Sequence, residues 1–541
     1  MWTLLKLTEL FVGVMAILLI GRYWSWPGSR RKDMPPGPTP LPILENVLQM
    51  KPLDIYAQFQ DLNNKYGPLV SLKVGVGNMI VIGGDGSLVR HLLDKRGAIY
   101  SNRPLQMSTE IAGKGDGLLL TLDVHHGTGR FQQDSSKWRL ARKQIVQHYA
   151  SSVVKTEYVG LQEAESVQLL HDFLHDPKHF MQHPMRFTTS VVTCLNYGVR
   201  CETYEDPAVR TIEEIMVRVC DLLMPGSKPP VEDFPWLRFI PDFVSDWKAR
   251  SRNIGDLMDK LYGDLADIAW TRGASGLNRG TLSYKLRANE ANSGLSRHFQ
   301  AYIAGLVLEG GSGIVAGVIL TCILILIKDT SSQERARKEI DALYDEDTLP
   351  RWVDEQAMPF VRAVIKEVLR WRPSLPIAIP HRLEQDDYYE GYFHPKDSTV
   401  ICNIWAIHSN PGRFDDPKVF RPERFLDYKM SMAESIAQGD PFERDHFAFG
   451  AGRRSCPGVQ VAEQDVFIAL SRLLWAFEFS APTGTQVNVE QSAFTGETVR
   501  HPKEFPLVIK PRSERRKATI EREMAHAKEH VFSQYGVYKP E

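Results

Sequence analysis

Cysteine is scarce in this chain, and no two cysteines are close. Six are scattered over 541 residues, at Cys194, Cys201, Cys220, Cys322, Cys402 and Cys456, and none is spaced C-x-x-C. That argues against a disulfide-framed secreted domain and against a cysteine zinc site. It also points to a reducing compartment for the body of the protein. Excess charge is missing too. Lys and Arg number 65 against 66 Asp and Glu, a formal net charge of -1. Bulk attraction to nucleic acid is therefore not expected, and no nucleic-acid partner is assigned. Internal repeats are absent, and no Pro/Gly/Ser-rich linker interrupts residues 50–512. With hydrophobic residues at 43% and charged residues at 24%, the composition is ordinary for a globular protein. Together these absences leave one large body rather than a string of modules.

The two ends differ from that body. Residues 1–21 read as a membrane anchor. Leu10 to Ile20 are free of charge, Lys6 can snorkel to the interface, and no small-x-small cleavage site follows. Residues 22–49 combine a basic stop, with Arg22, Arg30, Arg31 and Lys32, and the proline-rich hinge "PPGPTPLP" from Pro35 to Pro42. The positive cluster places the downstream side in the cytosol. Residues 50–512 form the main domain. Residues 513–541 are a charged tail, expected to be a solvated surface helix.

Within the body, "LVSLKVG" (69–75), "NMIVIGG" (78–84) and "STVICNIWAI" (398–407) read as strands. Residues 135–225 and 250–375 have mainly helical spacing. The expected fold class is mainly α with small β-sheets. Two histidine-bearing stretches need weighing. "HDFLH", His171 to His175, places two imidazoles four residues apart on a helix face. Asp is too short for the base of an H-E-x-x-H zinc enzyme and no third ligand stands out, so these read as surface histidines. "VHHGTG" (124–129) reads as a polar loop.

"LVLEGGSGIVAG", Leu306 to Gly317, admits three readings: a phosphate cradle, a membrane helix, or a helix opened for chemistry. Its G-x-G-x-x-A sits between apolar runs, as a dinucleotide fingerprint would. Residues 310–327 carry no charge, just enough for a span. A helix apolar all round can equally be buried.

"FAFGAGRRSCPG", Phe447 to Gly458, is more informative. A cysteine that holds a heme iron as thiolate needs N–H donors and positive charge around it. Small neighbours must let it approach the macrocycle. Gly452 and Gly458 flank Cys456, Phe449 can supply an apolar wall, and Arg454 can reach a propionate. The helical pattern that follows turns its N-terminal dipole toward the sulfur.

The pattern F-x-x-G-x-R-x-C-x-G is matched at all its specified positions and closely resembles the heme-binding signature of the cytochrome P-450 superfamily. Further segments agree with that resemblance. "KEVLR" supplies Glu367 and Arg370 for the family's E-x-x-R pair, and "FRPERF" supplies Arg424 to lock it. Trp138 and Arg142 match the W-x-x-x-R helix, and His381 in "IAIPHR" stands where a propionate partner is frequent. The likeness covers roughly residues 35–530 and is to fungal microsomal members.

The resemblance implies heme b with Cys456 as the axial thiolate ligand. It implies NADPH electrons from the membrane-bound NADPH-cytochrome P-450 reductase, with cytochrome b5 as a second donor. It places a single-pass protein in the endoplasmic reticulum membrane with a cytosolic catalytic domain. The activity implied is oxidation of a small aromatic or polyketide-like metabolite. Phenol coupling or rearrangement without net oxygen insertion is the alternative, and a decayed heme-binding protein the third. Leu306 to Gly317 then becomes the oxygen-side helix, with Glu309, Ser312, Gly313 and Ile314 as its distal wall. Fungal relatives often carry E-A-G-S-D-T-T there. Gly313 and Ile314 replace the acid and alcohol that normally handle protons during oxygen activation. Substrate contacts are expected before Trp138, in "PSLPIAIP" and at the turn around Phe494.

Overall fold

The computed structural model describes residues 13–16, 30–42, 44–115, 123–124, 131–132, 136–224, 226–495 and 498–540. Apart from residues 13–16, the expected anchor lies outside them, as do residues 125–129 of the "VHHGTG" loop. The strands that position the site are β1 (Leu69–Val74), β2 (Gly77–Ile82), β3 (Val199–Arg200), β4 (His381–Arg382), β5 (Thr399–Cys402) and β6 (Gly536–Val537). The helices are α1 (Ser136–His148), α2 (Val159–His175), α3 (His183–Tyr197), α4 (Trp247–Ala274), α5 (Arg297–Lys328), α6 (Pro359–Trp371), α7 (Val459–Ala476) and α8 (Glu514–His530).

One sheet has the order β1-β2-β5-β4. β2 and β5 run parallel with Ile80 opposite Val400, and β4 is antiparallel to β5 with His381 also opposite Val400. Val70, Ile80, Val81 and Val400 are fully buried, which explains their branched, apolar character. The third expected strand is shorter than 398–407. It stops at Cys402 because the Asn403 side chain accepts from Ala406 N–H and caps a short helix, Ile404–His408.

α5 is the axis of the helical layer. The Ser296 side chain caps it by accepting from Phe299 N–H, and no turn breaks it through Gly317. That removes the strand–turn–helix context a phosphate loop requires. The helix is long and apolar enough to cross a membrane, but 78% of its most apolar window is buried in the protein. It is a core helix. Two of its glycines are spacers: a Cβ at Gly305 would lie 2.4 Å from the Tyr262 ring on α4, and one at Gly311 2.6 Å from Val192 on α3. Only residues without a side chain let these helices approach so closely.

The C-terminal segment departs from the expectation of a solvated helix. α8 buries Ile520, Met524 and Ala527, spaced as one face requires. Arg516 on that face donates to the Trp475 carbonyl at 2.6 Å and pairs with Asp341 at 3.0 Å. β6 then joins β3 in parallel, Gly536 opposite Val199. Its high charge had masked a narrow apolar stripe.

Candidate functional site

A cavity of about 310 Å³ opens between α5 and the loop before α7. Its floor holds Cys456, and its opposite wall is Gly310, Gly311 and Ile314. The loop is held from several sides. Cys456 N–H donates to the Phe449 carbonyl at 2.9 Å, and Arg142 donates to the Ser455 carbonyl. Gly452 has φ +62°, and a Cβ there would meet the Leu93 carbonyl oxygen at 2.2 Å. No other residue fits that turn. A Cβ at Gly458 would stand 3.9 Å from the sulfur. Burial pushes the Cys456 thiol up, while the Gly458 amide and the Arg142 charge pull it down. The five remaining cysteines are buried thiols.

One side of the cavity gathers basic side chains. Arg142, Arg454, His381 and Arg103 all line it. Arg454 lies 3.9 Å over the Trp138 ring and donates from Nε to the Ser101 carbonyl at 2.8 Å. Arg103 donates to the Ile379 and Pro380 carbonyls at 2.6 and 2.8 Å, and its Nε is buried without a partner. Burial pushes the Arg103 guanidinium well below its usual range, and the like charges of Arg454 and Arg142 push it further. Burial and the Arg103 charge push His381 down to about 3. Its neutral ring therefore donates from Nδ1 to the Tyr100 carbonyl at 2.7 Å. Like charges crowded in an apolar wall call for an anionic partner. Two carboxylates on the rim of a flat, apolar ring would suit this basic set, and Cys456 would offer its sulfur to the metal the ring carries. The site thus fits a heme.

Behind the floor stands a second network. Arg370 forks onto Glu367 through Nε at 2.8 Å and Nη2 at 2.5 Å, and Arg424 Nε approaches the same carboxylate at 3.4 Å. All three side chains are buried. Arg370 also donates to the carbonyls of His408, Pro417 and Val419. His408 relays this order to the loop. Its Nδ1 meets the Arg370 carbonyl at 3.0 Å and its Nε2 accepts Phe447 N–H at 2.8 Å. Burial keeps it neutral, so the tautomer is fixed.

The chain belongs to the cytochrome P450 family. The family model "Cytochrome P450" matches residues 35–508. Cytochrome P450 monooxygenase patH of Aspergillus clavatus is 35% identical over 97% of this chain and 98% of its own length. Cytochrome P450 monooxygenase macC of Penicillium terrestre is 34% identical, covering 98% and 99% respectively. A zebra fish cytochrome P450 solved with progesterone superposes with a TM-score of 0.68 at 24% identity. That match covers 85% of this chain and 100% of the other, and it shows the fold. With such relatives over nearly the full length, this P450 is a monooxygenase. The family implies a heme iron with a thiolate ligand, a redox partner and a small-molecule substrate.

The structure sorts the expected residues of this P450 into three groups. Trp138, Arg142, Ile314, His381, Phe449, Arg454, Cys456 and Gly458 line one cavity. Gly452 and the Glu367, Arg370 and Arg424 network lie outside the lining and hold it in shape. Glu309, Ser312 and Gly313 do not line it, contrary to their expected place in the distal wall. The helical period explains this: 307, 310, 311, 314 and 318 share the cavity face, and 309, 312 and 313 turn aside. Ser312 Oγ donates to the Leu308 carbonyl at 2.8 Å, and its own carbonyl accepts from Thr188 at 2.7 Å. Glu309 accepts from the Tyr262 hydroxyl at 2.5 Å. A Cβ at Gly313 would meet open space.

Ser374, Leu375, Ala378 and Ile379 of "PSLPIAIP" line the cavity. Phe494 does not; it is buried against the guanidinium groups of Arg372 and Arg500. Of the segment before Trp138, residues 116–122, 125–130 and 133–135 lie outside the described residues. Sequence reasoning missed Arg103, a lone basic residue in "SNRPLQ" that no motif marks. It missed His408 as well, because nothing in "AIHSNP" says which histidine nitrogen faces what.

Proposed function

We propose that this P450 oxidises a small, largely apolar metabolite, aromatic or polyketide-like, in fungal secondary metabolism. It does so as a single-pass protein of the endoplasmic reticulum membrane, fed by NADPH-cytochrome P-450 reductase. The observation that carries the substrate class is the cavity wall. Away from its cationic side it is built from Leu306, Val307, Ile314, Val318, Leu375 and Ile379. Such a wall binds apolar ligands by excluding water and offers few polar anchors. The kinship with fungal monooxygenases supports the same reading. The anchor rests on the apolar run before the basic cluster and the proline hinge.

When bound, heme supplies oxygen activation and transfer of one oxygen atom to an unreactive carbon. The chain's own residues do the rest. Cys456 would offer the ligand sulfur, and Arg103, Arg142 and Arg454 would hold the carboxylates; His381, its one proton given to the Tyr100 carbonyl, stands beside them without donating. Gly310 and Gly311 keep α5 thin over the cavity, and Ile314 keeps it dry where an alcohol is usual. Glu309 stores a proton one turn before Gly313. Burial raises its carboxyl to about 7, against the pull of the Tyr262 hydroxyl.

Ile314 also favours a second reading, coupling or rearrangement without net oxygen insertion, since neither needs the usual relay. The membrane preparation with reductase, NADPH and candidate substrates separates the two. A product heavier by one oxygen atom, dependent on NADPH, supports insertion. A product that is a dimer or an isomer supports the second reading. The carbon-monoxide complex of the reduced protein should have the thiolate-type Soret position, and its absence would sink both. Deleting residues 1–33 should move the protein from the membrane to the soluble fraction.

A further inference from the structure

His171 and His175 are one turn apart on α2, and the fold brings Glu521 of α8 to them from the far end of the chain. Their ligand atoms all lie within 4.8 Å of one another. We propose that His171, His175 and Glu521 bind a divalent transition ion of the zinc class, which clamps the C-terminal helix to the body. This reaches beyond the oxidation chemistry and does not depend on it.

The geometry suits such an ion. His175 Nε2 stands 2.6 Å and His171 Nε2 3.8 Å from the two Glu521 oxygens, and the imidazole rings are 4.3 Å apart. Donors of a tetrahedral zinc at 2.0–2.1 Å lie about 3.3 Å apart, within that range. Two imidazoles and one carboxylate select zinc, nickel or copper over calcium or magnesium, which prefer all-oxygen shells. Asp172, between the two histidines in sequence, is not a competing ligand, because it pairs with buried Arg186 at 3.0 Å. The remaining coordination positions face solvent, since His175 and Glu521 are about half exposed. That suits a tie between elements better than a reaction centre. The sequence shows only the His pair of this site. The third ligand comes from a tail whose packing face the charge conceals.

The test uses the heme-loaded full chain, stripped with chelator and titrated with zinc chloride, then with cobalt chloride for its visible spectrum. One equivalent should bind, with a tetrahedral-type cobalt spectrum. His175→Ala and Glu521→Gln should each lower zinc affinity tenfold or more. His526→Ala with His530→Ala, a second stacked pair on α8 at 4.2 Å, should leave it unchanged. Zinc should slow proteolytic release of the C-terminal segment several-fold in the parent and not in Glu521→Gln. Unaltered heme spectra in the variants exclude misfolding as the cause. The proposal is overturned if no zinc binds, if Glu521→Gln binds as the parent does, or if the His526/His530 variant is the one that loses binding.

Discussion

At the scale of single residues, the clearest consequence concerns Glu309. Its carboxyl is raised by burial from an ordinary 4.5 to about 7. The folded protein therefore holds a proton that the unfolded chain releases between those values. The stabilisation is complete below pH 4.5 and is lost as pH rises through 7. Glu309→Gln is neutral throughout and keeps an oxygen to accept from Tyr262. At pH 8 the variant should be more stable than the parent, by about 3 kcal/mol, and at pH 4 the difference should vanish. Unfolding midpoints at the two pH values measure this. A difference that does not change with pH would mean that the carboxyl does not titrate there. Glu309 also shows what the sequence could tell. The E-G-G-S-G-I-V comparison finds the missing acid and alcohol. The 3.6-residue period then decides which residues face the cavity, and only Ile314 of the four expected does.

Elements were legible wherever one face carried the signal. The strands around Val70 and Ile80 follow from pattern alone, whereas the pattern leaves three readings for Leu306 to Gly317 and the family resemblance selects the helix. The third strand ran too long because the Asn403 cap looks like one more polar residue in an extended run. The C-terminal helix was misjudged because Ile520, Met524 and Ala527 are outnumbered by charges. The loop that presents Cys456 is the element whose geometry is most exacting. At Gly452 the backbone is left-handed and the Leu93 carbonyl fills the place of a side chain. Gly452→Ala meets both obstacles at once, and neither neighbour is a flexible side chain. The left-handed conformation alone costs about 1–3 kcal/mol, and the clash adds to it. We expect the variant to carry several-fold less heme per chain, read from the ratio of Soret to protein absorbance. Parent-like loading and an unchanged thermal midpoint would show that the turn tolerates a side chain.

On the scale of the whole molecule, the heme floor depends on α6, far from it in sequence. The E-x-x-R spacing revealed Glu367 and Arg370, and the family pattern added Arg424. The relay through His408 to Phe447 appears only in three dimensions, since it turns on one ring tautomer. Order passes from the buried Glu367 carboxylate to Arg370, on to His408 through the Arg370 carbonyl, and into the loop through Phe447 N–H. Removing one partner of a buried pair leaves the other charge unmatched and costs about 3–5 kcal/mol. Glu367→Ala should therefore lower stability by that much. The loss should also surface at Cys456, as reduced carbon-monoxide complex without the thiolate-type Soret position. Arg370→Lys keeps the charge but not the fork or all three carbonyl contacts, so it should fail in the same way. His408→Gln leaves the Glu367–Arg370 pair intact and breaks only the relay. It should shift the spectrum with a smaller loss of stability. If Glu367→Ala destabilises the protein while every loaded chain keeps the thiolate signature, the network supports the core alone and does not position the ligand loop.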